Sequence, residues 1–196
     1  MNLFTNLSKR LSLLCSILYF LKKHLIIIFG LGLIAAFGRV IQLGGFGPIT
    51  QRFNIFLEVV IEFARILIFV YVLGLANVKE GALRIKHLFT SKSNRKRYWK
   101  VALENIKKQW AEVLLNLFVF LGIAWIINYL IDLLAYQTCF YLALKNKEIL
   151  DTHASEWTII LFFKNISVIP FTLAFEALFL LWVINKFRNH EVMNGV

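Results

Sequence analysis

The chain is poor in most residues from which active sites are assembled. It has only 11 acidic residues in 196, two cysteines and four histidines. Two cysteines make no disulfide framework, and no cysteine–histidine cluster has metal-ligand spacing. His24, His87, His153 and His190 stand singly, at margins expected to be wet. No H-E-x-x-H or G-x-S-x-G sequence occurs, and no glycine loop of the kind that cradles phosphate. The glycine-rich GGFGP at 44 to 48 follows an apolar run and reads as a tight external turn. There is no TVGYG-like filter, no arginine-rich gating helix and no inverted repeat. These absences argue against an enzyme, a cofactor or metal site, and a selective channel. Apolar and polar residues do not alternate in LIIIFGLGLIAAF or TIILFF, which excludes the strands of a membrane β-barrel.

What the chain has in abundance is hydrocarbon. Hydrophobic residues make up 59%, aromatics 15%, and the mean hydropathy is +0.70, far above a soluble domain. A bilayer core of about 30 Å takes roughly 20 apolar residues per helix. Four stretches meet that length, at 25–43, 53–76, 113–136 and 157–184. The expected fold is all-α, a single membrane domain of four transmembrane helices in a bundle.

Lysine and arginine are retained on the cytoplasmic side during insertion. Lys9, Arg10, Lys22 and Lys23 precede the first span without an acid, and the tail carries Lys186 and Arg188. Between spans two and three lie Lys79, Arg84, Lys86, Lys92, Arg95, Lys96, Arg97, Lys100, Lys107 and Lys108. That places 16 basic residues on one side against Arg52, Lys145 and Lys147 on the other. Both termini and the basic loop are therefore expected in the cytoplasm, in the manner of a multi-pass protein of the bacterial inner membrane. The first span reads as an uncleaved anchor, because a hydrophobic helix of its own precedes it. Cys15 and Cys139 then lie on opposite sides.

Two helices are expected along the cytoplasmic surface. Within residues 1–24, Leu7, Leu11, Leu14, Leu18 and Leu21 recur every three or four positions, with Asn6, Ser8, Lys9, Arg10, Ser12 and Ser16 opposite. In NRKRYWKVALENIKKQW, within the 77–112 connection, Trp99, Leu103, Ile106 and Trp110 share a face, and Lys100, Glu104, Lys107 and Lys108 take the others. Basic residues so placed bind anionic headgroups at about 1 kcal/mol each. Arg95, Lys96, Arg97, Trp99, Lys100, Lys107 and Lys108 form the candidate surface for lipid or a cytoplasmic protein partner. Basic residues interleaved with aromatics also suit nucleic acid, so that alternative stays open.

Charges also lie inside the spans, in FLEVVIEFARILIFVYVLGL above all. At 1.5 Å per residue, Arg39, Glu58 and Asp132 fall about 6 or 7 Å below the outer edge of their helices. Glu62, Asn128, Lys164 and Asn165 follow at roughly 10 to 13 Å, Arg65 at roughly 18 Å, and Glu176 at about 27 Å. Glu58, Glu62 and Arg65 are four and three apart and share one helix face. An ionised group at mid-bilayer costs about 2.5 to 3.5 kcal/mol on insertion scales, so partners are expected. Glu62 is available to Arg65, and either Glu58 or Asp132 to Arg39. Glu176 has Lys186, Asn116 or a neighbouring subunit to choose from. The layer is either a polar clamp that fixes helix register or an ion path.

Gly32 and Ala36 in GLGLIAAFG form a small-xxx-small pair, which serves either a homo-oligomer interface or packing within the chain. Four spans, inward termini and the basic loop RIKHLFTSKSNRKRYWK together resemble the membrane subunit of the Kiwa anti-phage defence system. That resemblance implies an inner-membrane oligomer that senses phage attack and works with a cytoplasmic DNA-binding partner protein. Immunity proteins against pore-forming colicins share the outline; they would use the spans and outer loops. A small channel or transporter subunit using the charged layer is the third alternative.

Overall fold

The computed structural model describes residues 10–90, 92–152 and 154–184. Among them the order is α1 (Ser12–Lys23), α2 (Leu25–Gln42), α3 (Gln51–Leu73), α4 (Val78–Thr90), α5 (Lys92–Lys108), α6 (Trp110–Tyr136), α7 (Phe140–Asn146), α8 (Glu156–Ile166) and α9 (Val168–Val183), with no strand. Among the described residues, three segments are long and apolar enough to cross a membrane: Leu25–Gln42, Trp110–Tyr136 and the α8–α9 pair Glu156–Val183. A fourth arises when α3 and Val78–His87, which meet at 87°, are taken together. The three charges Glu58, Glu62 and Arg65 are what separate α3 from the other three.

Two departures from the sequence expectation concern breaks. The expected span 157–184 is interrupted at Ser167, whose φ −124° and ψ −78° lie outside the helical region. Pro170 has no N–H to give and its ring crowds the carbonyl four residues earlier, so the helix restarts there. The Ser167 hydroxyl donates to the Phe163 carbonyl at 2.6 Å. The connection 77–112, expected as a loop followed by one helix, is instead occupied by α4 and α5.

The chain divides into two compact units, the first from Met1–His24, Phe69–Gly122 and Leu173–Val196, the second from Leu25–Ile68 and Ile123–Thr172. In the first, helix ends are closed by side chains from other helices. A helix leaves its first N–H groups and last carbonyls without intrahelical partners. The buried Asn116 of α6 accepts the Leu14 N–H at 3.1 Å and donates to the carbonyls of Arg10 and Glu112 at 2.7 and 2.8 Å. Asn105 of α5 donates to the Val183 carbonyl at 2.6 Å. Arg84 of α4 donates to the Leu73 carbonyl at 2.6 Å, placing a cation at the negative end of α3. Phe120 and Phe175 stack at 4.0 Å between α6 and α9.

One face of α1 packs on protein: Leu13, Leu14, Ile17 and Phe20 are buried, while Leu18 and Tyr19 are exposed. Of the leucine stripe, Leu14 is buried, Leu11 and Leu21 are half-buried and Leu18 is exposed; Leu7 lies outside the described residues. Asn116 bonds the backbone of Leu14 and Arg10 on this side.

At the end of α1, His24 packs on Phe20 with ring centroids 4.6 Å apart, and its Nδ1 lies 3.0 Å from the Tyr71 hydroxyl. Burial, and secondarily the Lys23 charge, hold its pKa below the usual 6.5. The unfolded chain then takes up the proton first. The stability of the neutral folded form is full above pH 6.5 and is lost as pH falls from there through the lowered folded value. The detergent-extracted protein should melt at lower temperature at pH 5.5 than at 7.5, and His24→Gln should shrink that difference. An unchanged difference would place the pH dependence elsewhere.

In the second unit, α2 packs on α3 and α8. Ala35, Ile61 and Ala64 form one buried cluster, and a Cβ on Gly38 would fall 2.7 Å from Ile61. Val40, Leu150, Ala154 and Ile159 form another, flanked by Tyr141, Leu144, Phe162 and Phe163. Ile131, Ala135 and Ile160 join α6 to α8.

Candidate functional site

The embedded charges of the second unit meet in one cluster across α2, α3 and α8. Arg39 presents both terminal nitrogens to Glu58, with Nη1 donating to Oε2 at 2.7 Å and Nη2 to Oε1 at 2.9 Å. This fork on a carboxylate is the strong form of the pair. Gln42, one turn on from Arg39, donates to Glu58 at 3.0 Å and accepts from Arg39 at 2.7 Å. Arg39 also reaches Glu62 at 3.4 Å, and Arg65 donates to the same Glu62 oxygen at 2.6 Å. On its other side Arg65 donates from Nε and Nη2 to Asn165 Oδ1 at 3.3 and 2.8 Å. The buried Asn165 in turn donates to the Leu161 carbonyl at 2.7 Å.

Two arginines and two glutamates leave this cluster with no net charge. The pairing Arg65–Glu62 is the one the spacing suggests, and of the two acids open to Arg39 the geometry takes Glu58. Asp132 makes no hydrogen bond or ion pair among the described residues, and neither do Lys164 and the exposed Glu176. Asn116, one candidate partner of Glu176, is committed to α1 and to its own helix; Lys186, the other, lies outside the described residues. Gln42 and Asn165 are the members the sequence did not single out as partners. The signal for Gln42 was its i+3 spacing from Arg39. For Asn165 it was a depth in the same layer as Glu62, the partner of Arg65.

The cluster is not enclosed. The side chains of Glu58 and Glu62 are 48% and 46% exposed, while those of Arg39 and Arg65 are near 20%. Each carboxylate is thus held from the protein side by guanidinium and turns its other side outward. Chemically this is a charge-balanced salt-bridge network that links α2, α3 and α8.

Gly32 and Ala36 are spent within the chain. Ala36 is fully buried, and a Cβ on Gly32 would lie 2.9 Å from the Asn165 carbonyl and 3.4 Å from the Ile166 Cα. The small face of α2 is what admits α8 so closely, and the surface expected for a second copy is already covered.

The basic residues gather on α5. Arg95, Lys96, Arg97, Lys100, Lys107 and Lys108 are all exposed. Trp99 is 69% exposed, Leu103 and Trp110 are exposed beside it, and Ile106 is half-buried. Positions 99, 103, 106 and 110 follow helical spacing, and the hydrogen bonds from Gln109 to Asn105 and from Val113 to Gln109 carry that spacing into α6. The result is an apolar, tryptophan-bearing stripe bordered by six cations and anchored from behind by Asn105.

No known protein family matches the chain, and no curated protein or solved structure matches it. Among the described residues no group of histidine, cysteine, aspartate and glutamate is placed to hold a metal ion.

Proposed function

We propose that the protein is a non-enzymatic subunit of a bacterial inner membrane that docks a cytoplasmic protein partner through α5. The observation that carries this reading is the uncovered stripe of Trp99, Leu103 and Trp110 among exposed basic residues. Tryptophan beside arginine is the pairing that concentrates binding energy at protein interfaces. The reading takes four spans in a bundle, with the α3–α4 elbow closing the second on the cytoplasmic side. Both termini face inward by the 16 to 3 bias of basic residues. α5 then lies on the cytoplasmic side close to the membrane surface, where anionic lipid shares its cations. The outline supports reading the chain as a membrane subunit like that of the Kiwa anti-phage defence system, an oligomer that reports an event at the envelope to its partner.

Replacing Arg95, Lys96, Arg97 and Lys100 with glutamine tests the docking surface. Insertion should persist, because the other inward charges remain, while recovery of the partner on the purified protein should fall steeply and become less sensitive to salt. Unchanged recovery would sink the docking reading, and loss of liposome binding alone would leave α5 a lipid contact. Orientation is tested separately in a chain with Cys15→Ser and Cys139→Ser. An impermeant thiol reagent applied to intact cells should label Lys147→Cys and spare Lys100→Cys; the reverse would invert the topology.

One observation favours a second reading, that of an immunity protein acting within the bilayer. Glu58 and Glu62 turn half their surface outward from α3 beside the exposed Val59 and Phe63, as a helix-binding face would. Such a protein would tolerate the glutamine changes on α5 and lose protection on changes at Glu58.

A further inference from the structure

We propose that an apolar cavity of the second unit is a binding site for a segment of one acyl chain of a bilayer phospholipid. The cavity measures about 170 Å³. Its floor is made by the buried Val40, Leu150 and Ile159, and its mouth by the exposed Phe46, Phe140 and Ile149. The wall presents no polar atom. Water in a cavity needs two to four polar partners, so a cavity of this kind stays dry and takes apolar occupants.

Thr158 shows how thoroughly polar contact is shut out. Its residue lines the cavity, yet its hydroxyl is buried without a partner among the described residues. Thr158 stands in the first turn of α8, and the Ala154 carbonyl just before that helix accepts the Tyr141 hydroxyl. A site built for a hydrated or polar ligand would present that hydroxyl to its occupant.

Aromatic rings make up much of the wall. Phe162 stands edge-on to both Phe37 and Phe163, each at 5.4 Å between centroids, which leaves ring edges and faces lining the wall. A soluble ligand would find nothing here to orient it, since small-molecule sites fix their ligands with a few placed polar groups. A flexible hydrocarbon chain needs none. Among the exposed lining residues, Phe37 belongs to the spanning α2, Phe140 to α7, and Phe46 and Ile149 to the connections that follow α2 and α7. The site rests on the membrane reading proposed above, under which acyl chains are the apolar species that surround it.

The test uses the full chain in nanodiscs of phosphatidylethanolamine bearing a photoreactive diazirine in one acyl chain, with the labelled peptides identified by mass spectrometry. Crosslinks are expected at Phe162–Phe163 and at Leu144, and also at Phe118, which is exposed on α6 outside the cavity. Ile149→Trp at the mouth should cut the cavity crosslinks several-fold and leave that at Phe118 unchanged. If Ile149→Trp does not fold, Leu144→Phe serves as the blocking variant. Thr158→Val, which removes the orphaned hydroxyl without changing the shape of the wall, should retain the cavity crosslinks. Equal cavity labelling with and without the block, or loss of labelling in Thr158→Val, overturns the site. Absence of labelling at Phe118 as well would instead overturn the membrane reading on which it rests.

Discussion

Arg65→Ala is expected to destabilise the protein more than the double change Glu62→Gln with Arg65→Gln, although the double change removes more charge. Removing one partner of a buried ion pair costs about 3–5 kcal/mol because the other is stranded. The lower end applies here, since Glu62 is half exposed and keeps a 3.4 Å contact with Arg39. The alanine variant also strips Asn165 Oδ1, which is buried, of both its donors. In the double variant both charges vanish together, and an amide at 65 still offers a donor to Asn165. The measurement is the thermal midpoint of the detergent-extracted protein, taken beside recovery of the partner. A clamp predicts that both fall in Arg65→Ala and both return in the double variant. An ion path predicts a double variant that is stable but inactive, with proton flux into liposomes lost along with Glu62. Equal tolerance of both variants would mean that the cluster does not hold α2, α3 and α8 together.

That pair of acids and bases was legible in the sequence for a simple reason. Ionised groups in apolar helices carry so large a penalty that spacing along one helix and depth across helices nearly determine who meets whom. Glu62 and Arg65 followed from an i, i+3 step, and Arg39 had two acids at its depth, of which one is used. Which of two apolar stripes packs on protein was less legible. In α1 the buried Leu13, Ile17 and Phe20 stand beside the leucine stripe, and Asn116, over 100 residues away, bonds the backbone of Leu14 and Arg10. The small residues of α2 showed the same limit. Their spacing specified a close helix neighbour, and only the tertiary structure identifies it as α8.

The elbow between α3 and α4 was the least legible feature, and it yields the largest steric prediction. Leu75 and Ala76 both adopt positive φ, at 51° and 74°, a conformation their side chains do not advertise. Asn77 then opens α4 by accepting the N–H groups of Lys79 and Glu80 at 3.0 and 3.3 Å. Gly81 lies in the first turn of α4, pressed on the end of α3. A Cβ there would be 2.0 Å from the Val70 carbonyl oxygen, where real contacts do not fall below 3.0 Å. Gly81→Ala would gain about 1 kcal/mol in helix propensity at an ordinary position. Here the obstacle is backbone, so α4 must withdraw by at least the missing ångström and break the Arg84 bond to Leu73. The expected loss is therefore at or above ~3 kcal/mol, the upper part of the range for overpacking. Gly30→Ala is the internal control, because a Cβ on Gly30 meets nothing within 4 Å. Thermal unfolding should show Gly30→Ala melting at or slightly above the wild type and Gly81→Ala far below it. With α4 displaced, the docking surface of the neighbouring α5 should lose its partner even where folded protein is recovered. If the two alanine variants melt together, α4 does not close against α3, and the 87° turn between them is not held as described.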